Sequence, residues 1–338
     1  MSRATIGVVI ALSLVLVGCA PSAQHAASGG PAAARKLNVV TTVAPLTSIA
    51  ENIGGSRIAL IGVIPEGNDS HTFEPAPSVA RVMSGADLII VNGLSLEDPT
   101  LQMAKANKKA DAVILMLGES TITRADWIFD FSFPESEGHP NPHLWINPMY
   151  ALRYAELVEQ QLAKMDAANA DYYAANLSRF RDKTMRLDAG IKAVIQTIPA
   201  GQRKLLTYHD SWAYFAKRYG MEVIGAVQPS DFKEPSAREV AQLIDQIKRE
   251  KVPAVFGSDV YPSKVLEQIA REGGATFVDK LRDDELPGKP GEPFHTYFGL
   301  MLENMNSMVS ALGGNVDALK GFDPAPVFEG PSGAVYIR

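Results

Sequence analysis

Short, almost unbroken apolar runs constrain this chain more than any other feature. "KLNVVTTVAP", "RIALIGVI", "ADLIIVNG" and "AVILML" are each rich in Val, Ile and Leu and bounded by Gly, Pro or polar residues. A strand that lacks polar alternation is suited to burial on both faces, as in a parallel sheet covered by helices. The stretches between them, "PLTSIAENIGG", "PSVARVMSG" and "LEDPTLQMAKAN", read as those helices. The alternation returns later in "KLLTYHD", "MEVIGAVQP", "PAVFGSDV" and "GATFVD", with "SAREVAQLIDQIKRE" and "SKVLEQIAREGG" between. The expected fold class is α/β, with two similar lobes built on parallel-type sheets.

Between the two sets the strand signal vanishes. "MYALRYAELVEQQLAKMD" reads as one helix. Leu177, Phe180, Met185, Leu187, Ile191 and Ile195 then recur at three- to four-residue spacings without an internal proline, as in one long helix. Such a helix of about 45 Å would act as a rigid strut between the lobes, with Gly190 as its weak point. The expected layout is a leader at 1–18, a tether at 19–36, a first lobe at 37–166, a linking helix at 167–198, a second lobe at 199–314 and an extension at 315–338 without an assigned role. The leader carries Arg3 and an apolar run from Ile6 to Val17. That run is too short for a bilayer span, which takes about 20 residues, and suits an export signal. It ends in Leu-Val-Gly-Cys, which resembles a bacterial lipobox and marks Cys19, the only cysteine, for lipidation. Residues 20–36 are rich in Ala, Ser, Gly and Pro and have too little apolar surface to order themselves.

Six histidines are present. His25 lies in the tether. His71, in "PEGNDSHTFEP", follows a strand; His209, in "LLTYHDSW", ends one; His143, in "GHPNPHLWINP", sits between prolines near the short run "HLWI". Ligands of open α/β sheets bind beyond the carboxyl ends of the strands, an address from which loops of both lobes could bring these three to one cleft. Asp283 and Asp284, in "KLRDDELPG" after another strand, are the acidic candidates. The successive intervals, from His71 to His143, from His143 to His209 and from His209 to Asp284, are 72, 66 and 75 residues. Those are far from zinc-finger or HExxH spacing. On the residues alone, three unrelated loop histidines capping turns account equally well for the pattern.

Taken together the four loops resemble the metal-binding lipoproteins of bacterial ABC importers, the ZnuA/TroA-like group. "GNDSHTFEPAPS", "NPHLWINP", "TYHDSWAYFAKRYG" and "LRDDEL" are similar to its four ordered motifs, and the lipobox and long helix accompany them. The resemblance implies metal ligands His71, His143, His209 and an aspartate, Asp284 in preference to Asp283. It also implies a site in the inter-lobe cleft, capture of a divalent metal outside the cytoplasm and delivery to an ABC permease. Departures are Asn141 and Asn147 where the family often has aspartate, and Ser70 where it often has proline. In place of the long His/Asp/Glu-rich loop of many zinc members there is only "FPESEGHP". Glu135, Glu137 and His139 there are either an auxiliary collecting loop or a plain solvated one.

Three imidazoles and one carboxylate suit four-coordinate Zn²⁺; Mn²⁺ is the alternative, its family carriers commonly having a carboxylate at the third position. Free imidazoles titrate near pH 6.5, so metal affinity is expected to fall there. His295, beginning an apolar helix, reads as a packing residue. With net charge −6 and no long basic run, nucleic acid is not an expected partner. The expected protein is a monomer, lipid-anchored and facing the periplasm or cell exterior, and not an enzyme. A zinc hydrolase would need an open coordination position and a general base, and an adhesin would hold the metal as a structural element.

Overall fold

The computed structural model describes Met1 and residues 35–337, apart from 229–231, 259, 261–263 and 331. Cys19, His25 and the leader lie outside the described residues. In chain order the first lobe contributes β1 (Leu37–Thr41), α1 (Ala44–Gly54), β2 (Ile58–Gly62), α2 (Pro77–Gly85), β3 (Leu88–Val91), α3 (Asp98–Asn107) and β4 (Val113–Met116). Then come α4 (Pro148–Met165) and α5 (Ala170–Thr197). The second lobe follows with β5 (Lys204–Thr207), α6 (Ala213–Tyr219), β6 (Glu222–Ala226), α7 (Ala237–Glu250), β7 (Ala254–Ser258), α8 (Lys264–Gly273), β8 (Thr276–Leu281) and α9 (Tyr297–Ala311).

The first sheet runs β4-β3-β1-β2 and the second β6-β5-β7-β8, with every pairing parallel. Numbered within its own lobe, each sheet has the same order, 2-1-3-4. The lobes therefore share a topology, in which the order switches from one side of the first strand to the other. All four residues of β3 are buried, and β7 is buried throughout, as the unbroken apolar runs require.

Helix boundaries follow local chemistry. Pro77, Asp98-Pro99 and Pro148 stand in first turns, where a missing backbone N–H costs nothing. Ser236 accepts from the Glu239 amide while Glu239 reaches back to the Ser236 N–H, a capping box that starts α7. The long helix α5 is continuous over 28 residues, about 42 Å. Its buried stripe includes Tyr173, Phe180, Leu187, Ile191 and Ile195. Asn176 on it donates to Ile53 O at the end of α1, and Phe180 packs on Phe298 of α9 at 5.1 Å, so it is braced by elements of both lobes. Gly190 is no break. Leu319 packs into the space beside it, and a Cβ there would lie 2.4 Å from Leu319 Cδ2.

The extension after α9 has a structural role that its sequence does not announce. It turns back to the first lobe and adds β9 (Val335–Tyr336) parallel to β2, with Ile337 N donating to Gly62 O. Glu51 Oε1 on α1 accepts from Ser332 Oγ and from the Gly333 and Ala334 amides. Asn52 Oδ1 takes the Val327 amide, and Lys183 of α5 donates to Ala325 O. The chain end thus straps the linking helix to the first sheet.

Candidate metal centre

The loops after β2, β5 and β8, together with the turn that opens α4, carry the candidate residues. Asp69 braces the His71 loop by accepting from the His71 amide at 3.0 Å and the Thr72 hydroxyl at 2.7 Å. His143 does not follow a strand: "LWI" forms a 3₁₀ turn, Leu144–Ile146, and Asn147 then caps α4 by accepting from Met149 N. Pro142 and Pro148 limit pairing on either side, which suits a turn better than a ladder. His209 leaves the end of β5, where Thr207 Oγ1 donates to its carbonyl at 2.7 Å.

These three histidines converge. His71 Nε2 lies 3.3 Å from His143 Nε2, which lies 3.1 Å from His209 Nε2. One nitrogen from each falls within 4.8 Å of the others. A tetrahedral shell with zinc–nitrogen bonds of 2.0–2.1 Å sets its ligand atoms about 3.3 Å apart, so the spacing suits an ion at their centre.

Two of the rings are oriented from behind. Asn141 Oδ1 sits 2.9 Å from His143 Nδ1 and also accepts the His143 amide at 3.0 Å. Its Nδ2 donates to Asp130 Oδ2 and to Asp210 O, which fixes which end of the amide faces the ring. Gln228 Oε1 is 2.6 Å from His209 Nδ1. An amide oxygen in those places puts the proton on Nδ1 and leaves the Nε2 lone pair for a metal.

Burial keeps His71 and His143 neutral. It pushes His71 down to about 3, with His209 adding to the effect, and holds His143 well below the ordinary imidazole range, with His209 and His71 adding. Expectations built on a free imidazole therefore shift: protons compete for these two nitrogens only in much more acidic solution.

Neither aspartate joins the group of ligand atoms within 4.8 Å of one another, which among the described residues holds the three histidines alone. Asp283 Oδ2 is 3.9 Å from His209 Nε2, and its carbonyl accepts from Trp145 Nε1 at 2.8 Å. Asp284 Oδ2 accepts from Ser70 Oγ at 2.7 Å. His139 is outside the group of three, 3.6 Å from Glu137 and edge-on to Phe133 at 6.4 Å, and His295 is buried beside Glu66 and Tyr336. Sequence reasoning missed Gln228, Phe133 and Phe232, the last two packed on the imidazoles. Their positions carry no local signal, because nothing in a sequence pairs 133 or 232 with 71.

Two parallel-sheet lobes spanned by one long helix, with imidazoles from both turned onto a common point, define a two-lobed metal-binding protein. The sequence matches the family described as "ZnuA: Zinc-uptake complex component A periplasmic" over residues 39–311, and the chain belongs to it. The metal ABC transporter substrate-binding lipoprotein FimA of Streptococcus parasanguinis is 28% identical over 308 residues, covering 90% of this chain and 96% of that protein. The manganese-binding lipoprotein MntA of Halalkalibacterium halodurans is 25% identical over 305 residues, covering 90% and 97%. Among solved structures, the periplasmic zinc-binding protein TroA of Treponema pallidum superposes with a TM-score of 0.75 at 26% identity, covering 82% of this chain and 99% of that one. The family is one of metal-binding solute-binding proteins of ABC importers, and the ions named for its members differ.

Proposed function

We propose that this protein captures Zn²⁺ outside the cytoplasm and hands it to an ABC permease, held at the membrane as a monomer by lipid on Cys19. The supporting observation is the convergence of three Nε2 atoms, two of them with amide oxygens behind Nδ1. The ligands are His71, His143, His209 and a carboxylate of the 283–284 pair. Asp284 is the family position. It would reach the ion by releasing Ser70, and Asp283 is the alternative that the 3.9 Å approach to His209 favours. The ion is cargo and no catalysis is assigned, because four protein ligands leave no open position for a reacting water. No helix among the described residues is long and apolar enough to cross a membrane.

Zinc is preferred because three imidazoles make a borderline-soft shell and because zinc exceeds manganese in intrinsic affinity for such donors. Manganese is the second reading, favoured by the ion named for MntA. Elemental analysis of the purified protein, followed by Zn²⁺/Mn²⁺ competition on single Ala variants at 71, 143, 209, 283 and 284, tests both. Each histidine substitution is expected to weaken binding by about 100-fold or more, with His295→Ala neutral. Equal losses at 295 and 209 would refute the ligand set, and tighter Mn²⁺ than Zn²⁺ binding would refute the metal.

A further inference from the structure

Two phenylalanines, one from each lobe, close over the histidines. Phe133 comes from the loop between β4 and α4 and is 1% exposed. Its ring centroid lies 5.4 Å from His71, 5.7 Å from His143 and 6.2 Å from His209. Phe232 comes from the loop between β6 and α7. It stacks on His71 at 4.7 Å and 24°, lies 6.3 Å from His209, and meets Phe133 at 6.1 Å. Phe232 also holds φ at +56°. A bulky residue adopts that conformation rarely, and it persists only where the surroundings impose it, commonly at functional sites.

We propose that Phe133 and Phe232 are specificity-determining residues: a two-ring cap that denies the ion additional water ligands and so selects a metal satisfied by four protein ligands. The proposal rests on the ligand reading above. A water added to the ion on the capped side would need two or more polar partners and would meet phenyl carbons. Zn²⁺ is complete with four ligands, whereas Mn²⁺ favours an octahedral, oxygen-rich shell that three imidazoles and one carboxylate, even bound through both oxygens, do not fill without added water. The cap thus acts on the choice of ion without touching the donor atoms. It also draws one ring from each lobe, so it is complete only when the two loops meet.

Co²⁺ reports coordination number directly, because its visible bands are intense when four-coordinate and weak when six-coordinate. The full chain, loaded with Co²⁺, is expected to show the intense bands. Phe232→Ala, at a partly exposed ring, is expected to weaken them and to lower the Zn²⁺-over-Mn²⁺ affinity ratio by about tenfold or more. Phe131→Ala, at a half-exposed neighbour in the Phe133 loop, is expected to change neither. If Phe133→Ala fails to fold, Phe232→Ala carries the test alone. A six-coordinate spectrum in the wild type, or an unchanged spectrum and ratio in folded Phe232→Ala, overturns the cap. Co²⁺ binding that survives His143→Ala overturns the ligand set itself, and the cap with it.

Discussion

Replacing Asn141 with leucine is the most informative single perturbation of this site. The side chain is fully buried and makes four hydrogen bonds: Oδ1 accepts the His143 amide and Nδ1–H, and Nδ2 donates to Asp130 Oδ2 and Asp210 O. Leucine fills a similar volume but leaves all four partners without their bond, three of them buried. Each lost bond in such a setting costs about 1 kcal/mol or more, so the metal-free protein is expected to lose about 4 kcal/mol, measured by urea unfolding. Freed from Asn141, the His143 ring can take either tautomer, and metal affinity is expected to fall about 10- to 100-fold in a chelator competition. Asn141→Asp separates the two effects. It retains an acceptor for His143 but turns a second oxygen toward Asp130, whose carboxyl burial and Asp210 already raise to about 9. Affinity should then survive while stability drops near neutral pH. The drop should recover on acidification, because a buried carboxyl with a raised pKa binds its proton more tightly in the folded state. An Asn141→Leu protein within about 1 kcal/mol of wild type and with unchanged affinity would refute the orienting role.

Three further outcomes follow from particular contacts. Three free imidazoles with a pKa near 6.5 would together weaken metal binding about 10⁴-fold between pH 7.5 and 5, each contributing about 30-fold. With His71 at about 3 and His143 well below its ordinary range, at least two of those factors vanish, and a full 10⁴-fold loss in a pH-dependent competition titration would contradict the burial of the rings. The same depressed values mean the unfolded chain takes up protons first, so the metal-free protein should lose stability as pH falls from about 6.5 toward 3, read from urea midpoints. Glu51→Leu removes the acceptor of three donors from the chain end and should speed amide exchange at Gly333, Ala334 and Ile337 by about tenfold or more, leaving β3 protected.

How much of this was legible depended on how local the cause is. The strands at 88–91 and 254–258 were legible because burial on both faces leaves nearly unbroken apolar runs. The helix at 170–197 was legible from its apolar spacing, although the fit of Leu319 beside Gly190 was not. The short run "HLWI" did not by itself say what it forms; it is a turn, because flanking prolines outweigh the β-propensity of three apolar residues. The two-residue strand at 335–336 had no chance of recognition, since its partner lies some 270 residues earlier.

By itself the sequence determined the fold class, the helix between the lobes and the kinds of donor available, because periodicity, caps and side-chain chemistry act over a few residues. Through the four ordered motifs it also pointed to His71, His143 and His209. Only the tertiary structure decided that their Nε2 atoms stand 3.1 and 3.3 Å apart, that amide oxygens of Asn141 and Gln228 back two of the rings, that Ser70 holds Asp284, and that two phenyl rings cover the cluster. Those features depend on side chains brought together from across the chain, and distance in sequence carries no information about distance in space until the lobes have folded.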